Sequence, residues 1–389
     1  VTEVAMTTDI QLTIPMPLQI IVDDVGWWSG EDGSRYNQPY RTGLGRDHQP
    51  EDYLALAALG KKLGMRILAG FVLCEWDKTN LLRKLPSATW RGREWDNAGI
   101  RSEDKELAAE IIRNERAAIE IALHGIGHEF WVGGRMERAE FHNNDCEMRE
   151  SDEIRRHLDF FFQLIEQYHL APPPTTFIPP ALKHSFGNGE KGFQNLLSEF
   201  GISSVTTRFD KARQFSRPLH PQVTWESEVL LVDRGQAACA WNETACEPVF
   251  AFDRPFLTLH WANILHRDPR KNLEIVRKWA DFLRDGASRH ALLLAPDMRS
   301  CLSQYLHRVF SIIHAYNGEI SVDLGWKHSL PSHLIDHSFL VKLTPSALPG
   351  VQVSGAQAEL FREDNGSTIL RLTSLPGIRK ILIRPEPAI

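Results

Sequence analysis

From residue 18 onward, short apolar runs alternate with longer segments of helical period. Leu18-Gln-Ile-Ile-Val22 reads as a strand ending in Asp23-Asp24, and a polar, glycine-bearing loop then leads to a helix over Glu51–Leu63 behind Pro50. The pattern next predicts a strand at Met65–Leu73, a helix near Glu103–Arg116, a strand at Ile119–Leu123 and a strongly periodic helix at Asp152–His169, stopped by Pro172-Pro-Pro174. Thr176–Ile178, a helix around Lys191–Phe200 and a strand at Ile202–Thr206 continue the βαβα rhythm, which demands parallel strands joined by helical crossovers.

Residues 208–255 interrupt that rhythm with irregular apolar pieces and prolines, and read as an insertion. Phe256–Leu259, a helix at Asn272–Arg284, Ala291–Leu294 and a helix near Ser303–Ala315 follow. So many units on one chain favour a closed or nearly closed barrel over an open sheet. Beyond Pro331 the texture changes to five short runs, Phe339–Leu343, Val351–Val353, Ala358–Arg362, Thr368–Leu372 and Lys380–Ile383, with Asp364-Asn-Gly366 as a hairpin signal. The expected organisation is an α/β barrel over 12–332 and a small antiparallel β domain over 333–389.

Composition narrows the function. The 389 residues carry 44 Lys+Arg against 50 Asp+Glu, a net charge of −6, which leaves no basic face for nucleic acid. No apolar stretch approaches the roughly 18 residues of a membrane span, and Val1–Gln11 lacks the pattern of a signal peptide, so the chain is expected to be cytoplasmic. The five Cys show no C-x-x-C spacing, and only Cys239 and Cys246 are placed to bridge a loop. The oligomeric state stays open.

Chemistry concentrates at the carboxyl ends of the expected strands, where parallel α/β folds build their sites. Asp23 and Asp24 are adjacent carboxylates, costly together unless a cation or a proton separates their roles. His124-Gly-Ile-Gly-His128 sets two imidazoles four residues apart, able to converge on one divalent ion if the loop turns helically. His260 ends a third strand. One carboxylate with two His gives three ligands and an open coordination position, while a second carboxylate and a third His remain to move protons. Zinc is the default ion, with nickel, cobalt, manganese and iron as alternatives.

In this order the motifs resemble those of the polysaccharide deacetylases with a NodB-homology domain, carbohydrate esterase family 4 and its divergent relatives. The resemblance runs from Asp23-Asp24 through His124-x-x-x-His128 and Phe177-Ile-Pro-Pro180 to Leu259-His260, over about residues 18–300. It implies a distorted (β/α)7-8 barrel and a hydrolase that removes an acyl group, most simply N-acetyl, from a carbohydrate with a metal-activated water. Asp23 would be the general base, Asp24, His124 and His128 the metal ligands, and His260 the general acid. Pro180 and the backbone N–H of Ala181 would face the substrate, the latter as oxyanion donor.

Two departures mark a divergent member. Val25 intervenes before Gly26, and Ile178 stands where the family carries an arginine that holds the catalytic aspartate. Lys183, His184 or Arg208 are the cations open to replace it, with His184 also placed to touch substrate. Trp27, Trp28, Trp131 and Trp261 flank the motifs, and indole faces suit sugar rings. The loop residues Trp90, Arg93, Trp95 and Asp96 are further candidates for substrate contact. Two alternatives accompany the deacetylase: a catalytically impaired carbohydrate-binding relative, and a glycosidase using carboxylates such as Asp23 and Glu129.

Overall fold

The computed structural model describes residues 10–99, 102–170, 172–316, 318–344, 350–364 and 366–385. The chain divides into two compact units, one running from Leu18 to His290 and the other joining the N-terminal segment through Pro17 to the chain from Ala291 onward. The expected boundary at 333 therefore lies inside the second unit.

The first unit is built on strands β1 (Pro17–Val25), β2 (Ile67–Phe71), β3 (Ile119–Leu123), β4 (Thr176–Phe177), β5 (Ser204–Thr207), β6 (Val223–Glu226), β7 (Val229–Asp233) and β8 (Phe256–His260). Helices α1 (Pro50–Leu63), α2 (Ser102–Asn114), α3 (Ser151–Gln167), α4 (Phe193–Glu199) and α5 (Asn272–Arg289) accompany them. The helix limits follow local chemistry: at α1 the Gln49 cap and Asp52 side chain exchange hydrogen bonds with the first turn, Pro50 opens the helix, and Gly64 closes it in a left-handed conformation. Strands β1 and β2 are buried throughout, as expected of a parallel sheet covered on both faces.

The hydrogen-bonded order is β6-β7-β5-β4-β3-β2-β1-β8. Every neighbouring pair is parallel except β6 with β7. The path stays open between its ends, so a complete ring of strand pairing is not formed among the described residues. Just after β7, however, Ala238 N–H donates to Thr258 O at 2.9 Å and Thr258 Oγ1 donates to Gln236 O at 3.1 Å. The segment following β7 thus runs beside β8.

This corrects the reading of 208–255 as an insertion, because β7 pairs in parallel with β5 and belongs to the sheet. Its run Val229-Leu-Leu-Val232 is buried on both faces and has no alternation to advertise it. The hairpin before it turns on Ser227 and Glu228, both at positive φ, without the Asn or Gly that normally signals such a turn.

In the second unit, α6 (Met298–Phe310) ends before the residues expected to complete it. Ile312–Tyr316 instead pairs antiparallel with Glu319–Asp323 across a turn containing Gly318 at φ 77°. Consecutive β-branched residues at Ile312 and Ile313 favour that outcome. The five predicted runs beyond 333 are strands, and with Gln11–Thr13, Ile312–Tyr316 and Glu319–Asp323 they make two four-stranded antiparallel sheets around one apolar core. Ala356–Asp364 and Ser367–Ser374 pair as the hairpin signal requires, while Asn365 itself lies outside the described residues.

Candidate metal centre and active site

Strand β1 delivers two consecutive carboxylates to one cavity, which a regular strand cannot do because neighbouring side chains alternate faces. The pairing of β1 with β2 shifts register between Val22 and Val25, and Asp24 adopts φ 63°. This bulge re-aims the side chains, so Asp23 and Asp24 both line a cavity of about 390 Å³. Gly26 then follows at φ 113°, where an added Cβ would lie 2.3 Å from Val72 O. The extra Val25 is thus accommodated by the bulge.

At the end of β3, His124 and His128 are brought together by a loop that a buried carboxylate organises. Ile126 and Gly127 N–H donate to Glu140 Oε1 and Oε2, both at 3.1 Å, and His157 Nδ1 lies 2.7 Å from Glu140 Oε1. Gly125, at φ 110°, leaves room for that carboxylate, since a Cβ there would meet Glu140 Oε2 at 2.4 Å.

The Nε2 atoms of His124 and His128 stand 3.5 and 3.9 Å from Asp24 Oδ1, and one ligand atom from each residue lies within 4.8 Å of the others. His124 Nδ1–H donates to Ile178 O at 2.8 Å, which leaves the Nε2 lone pair to face Asp24. His128 Nδ1 lies 3.1 Å from Glu129 Oε1, and Arg138 braces both groups. Burial opposes the charge of Asp24, yet the neighbouring imidazoles of His124, His128 and His260 outweigh it and hold this carboxyl well below the usual range. The set therefore fits a divalent cation in donor type, spacing and second partners.

Beside it, Asp23 and His260 stand at matched positions of the parallel pair β1 and β8. Asp23 Oδ2 accepts from Arg234 Nη2 at 2.8 Å, and both groups are buried. Asp23 Oδ1 is buried with no hydrogen-bond partner among the described residues. Burial depresses the pKa of His260, an effect that Asp24 and Asp23 only partly offset.

The cation paired with Asp23 is Arg234, and none of the three expected there, Lys183, His184 or Arg208, takes that place. Lys183 Nζ donates to Asn144 O, Arg208 pairs with Asp210, and His184 is enclosed beside Gln194 with its pKa pushed down to about 3 by burial. Arg234 comes immediately after β7, the strand concealed within the supposed insertion, so the rule that chemistry gathers at carboxyl ends of strands would have flagged it.

The tryptophans divide differently from expectation. Trp27, Trp28 and Trp261 are buried, with Trp261 stacked on His48 at 4.0 Å and Trp28 packed against Tyr53 and Trp76. They form core, not cavity wall. Trp131 and Trp90 line a second cavity, Trp95 is buried against Trp90, and Asp96 receives Asn80 and the Ala98 N–H. The indole on the cavity lined by Asp23 and Asp24 is Trp241, within the loop closed by a Cys239–Cys246 disulfide. Ala181 lines the same cavity and its N–H donates to His128 Nε2 at 3.1 Å, whereas Pro180 is buried behind it.

No family model matches the chain, and no curated protein matches it. Solved structures similar to it include a Mycobacterium smegmatis protein assigned as a polysaccharide deacetylase, at 14% identity and TM-score 0.40, covering 73% of this chain and 92% of that one. A family 4 carbohydrate esterase from Streptomyces lividans in complex with acetate shares 11% identity at TM-score 0.34, over 72% of this chain and 92% of the other. Endo-glycoceramidase II from a Rhodococcus species shares 8% identity at TM-score 0.23, over 96% and 100%. These likenesses are too distant to transfer chemistry, and what bears on activity is the cavity itself.

Two groups around it had no sequence signal. Arg138 is supplied by a hairpin strand's end, and Glu140 acts through backbone N–H groups fourteen and thirteen residues away. Glu129 faces Arg138 and His128 and does not line the cavity. Among the described residues, no helix is long and apolar enough to cross a membrane.

Proposed function

We propose that this protein is a metal-dependent hydrolase that removes an acyl group, most simply N-acetyl, from a carbohydrate. The observation that carries the reading is the convergence of Asp24, His124 and His128 on one cavity that also holds the Asp23–Arg234 pair and His260. A divalent cation bound by the three ligands, zinc by default, would supply Lewis acidity toward a carbonyl oxygen and acidify water.

The remaining work falls to the chain's own residues. Arg234 fixes Asp23 through Oδ2, which leaves Oδ1 to accept the proton of the attacking water. His260 donates a proton to the departing nitrogen, and burial makes its protonated form a ready donor. The Ala181 N–H, which here donates to His128 Nε2, would be released to the oxygen that gains charge once that nitrogen holds the ion. Trp241 offers a flat face to a sugar ring.

Arg234 removes the reason for reading the chain as a catalytically impaired relative, since the base keeps a cationic partner. A glycosidase is disfavoured because Glu129 is committed to Arg138. The Cys239–Cys246 bond suits an oxidising compartment and weighs against the cytoplasmic expectation.

The test is metal content together with acetate release from N-acetylated chito-oligosaccharides. Asp24→Ala should lose both, whereas His260→Ala should retain metal and lose turnover by roughly 10²- to 10⁴-fold. A folded protein that takes up no divalent ion under any loading condition overturns the proposal.

A further inference from the structure

A second cavity, of about 630 Å³, is larger than the catalytic one and is lined by a different chemistry. Arg83, Lys84, Arg91, Arg93 and Arg156 contribute five cationic side chains to it, against the single carboxylate of Glu153. Glu153 is already engaged: Arg156 Nη1 donates to it at 3.1 Å, His157 Nε2 lies 3.5 Å away, and Ser87 Oγ also donates to it. Among the described residues no ion pair joins Lys84, Arg91 or Arg93 to a carboxylate. The cavity therefore carries an uncompensated positive charge on a chain whose net charge is −6.

Its apolar wall is aromatic, formed by Trp90, Phe130 and Trp131. Indole faces and guanidinium forks together match one chemical class: rings with apolar C–H faces and planar anionic groups.

We infer that this cavity binds an acidic saccharide, its anionic groups held by Arg91 and Arg93 and its ring faces by Trp90 and Trp131. The volume lies in the range of small-ligand sites. A concave site of this size on an acidic chain suits a short acidic oligosaccharide better than a nucleic acid, whose affinity depends on many phosphate contacts along a basic surface. Binding here does not require the Asp24–His124–His128 set. The strand Phe130–Val132 nevertheless begins two residues after His128, so both cavities are walled by one stretch of chain.

Calorimetry with trigalacturonate, a heparin-type sulfated disaccharide and neutral triacetylchitotriose tests the inference. An acidic probe should bind, weaken as salt is raised, and lose about tenfold in affinity in the Arg91→Ala/Arg93→Ala variant, whose substitutions are on exposed side chains. The stronger of the two acidic probes identifies the anionic group. Trp90→Ala should weaken it as well, while Asp24→Ala should leave it unchanged, which separates this site from the catalytic one. The inference is overturned if the neutral trimer binds as tightly, if the double arginine variant binds like the parent, or if oligothymidine competes equally well.

Discussion

The two compact units bury different things. Between Leu18 and His290 the interior encloses Asp23, Asp24, Asp52, Glu75, Glu140 and Arg234, among other ionisable groups. In the other unit, no Asp, Glu, Lys or Arg is buried among the described residues, and the shared core is made of residues such as Ile320, Val322, Phe339, Leu372 and Ile383. Taking a charge out of water costs several kcal/mol per ion, which only a well-placed partner offsets. A unit that repeatedly bears that cost has a use for charge at fixed positions, whereas the second unit is explained by packing alone. Under the proposed function, buried ionic groups mark the unit that would carry the chemistry.

The sharpest way to break this contrast is to remove Arg234. Arg234→Met leaves Asp23 buried without its partner and should destabilise the first unit by about 3–5 kcal/mol. Turnover per folded molecule should fall by roughly 10²-fold, the usual result of a misplaced catalytic group. Metal content should not change, because Arg234 touches no member of the Asp24–His124–His128 set in the contacts described. Arg234→Lys restores charge without the planar fork and should recover only part of the rate. Denaturation, metal analysis and acetate release distinguish these effects, and an unchanged rate in Arg234→Met would show that the pair is purely structural.

A substitution of comparable stability cost in the other unit should leave chemistry alone. Leu372 is fully buried in the apolar core, so Leu372→Ala should cost about 2–5 kcal/mol through lost burial and the cavity left behind. Acetate release per folded molecule should match the parent. A large drop in rate with folding intact would contradict the division of labour between the units.

The sequence made the repetitive part of the fold legible and concealed the exceptional part. Strands ending in Asp23-Asp24, His124 and His260 were visible because each apolar run stops at a chemically distinctive residue. Helices α1, α3 and α5 announced themselves by period, with Pro50 opening α1 and Pro172-Pro-Pro174 stopping α3. Strand β7 was not visible, since its uninterrupted apolar run lies between prolines and an unconventional Ser227–Glu228 turn. Losing β7 meant losing Arg234 with it. The tryptophans misled for the opposite reason: proximity in sequence to a candidate site residue does not say whether an indole points at the cavity, and Trp27, Trp28 and Trp261 are packed in the core instead. The bulge that brings Asp23 and Asp24 to one face is likewise a three-dimensional solution, with Val25 as its only trace in the sequence.

The smallest expected effect concerns pH. Asp52 is fully enclosed, with its oxygens taken by Arg46, His48 and Asn272. Burial pushes its pKa up, but the hydrogen bonds and charges of Arg46 and His48 prevail and hold it well below the ordinary carboxylate value. A carboxyl whose folded-state pKa is depressed contributes stability above its unfolded value, near 3.8, and loses that contribution as pH falls from there toward the folded value. Asp52→Asn should therefore cost about 1.5–3 kcal/mol at pH 7, the scale of hydrogen bonds to a charged group. The stability difference between this variant and the parent should narrow as pH is lowered below about 4. Hydrogen exchange over the same range should show protection failing first between Leu18 and His290. If the apolar second unit opens first in acid, or if the difference between parent and variant widens, buried charge is not what separates the two units.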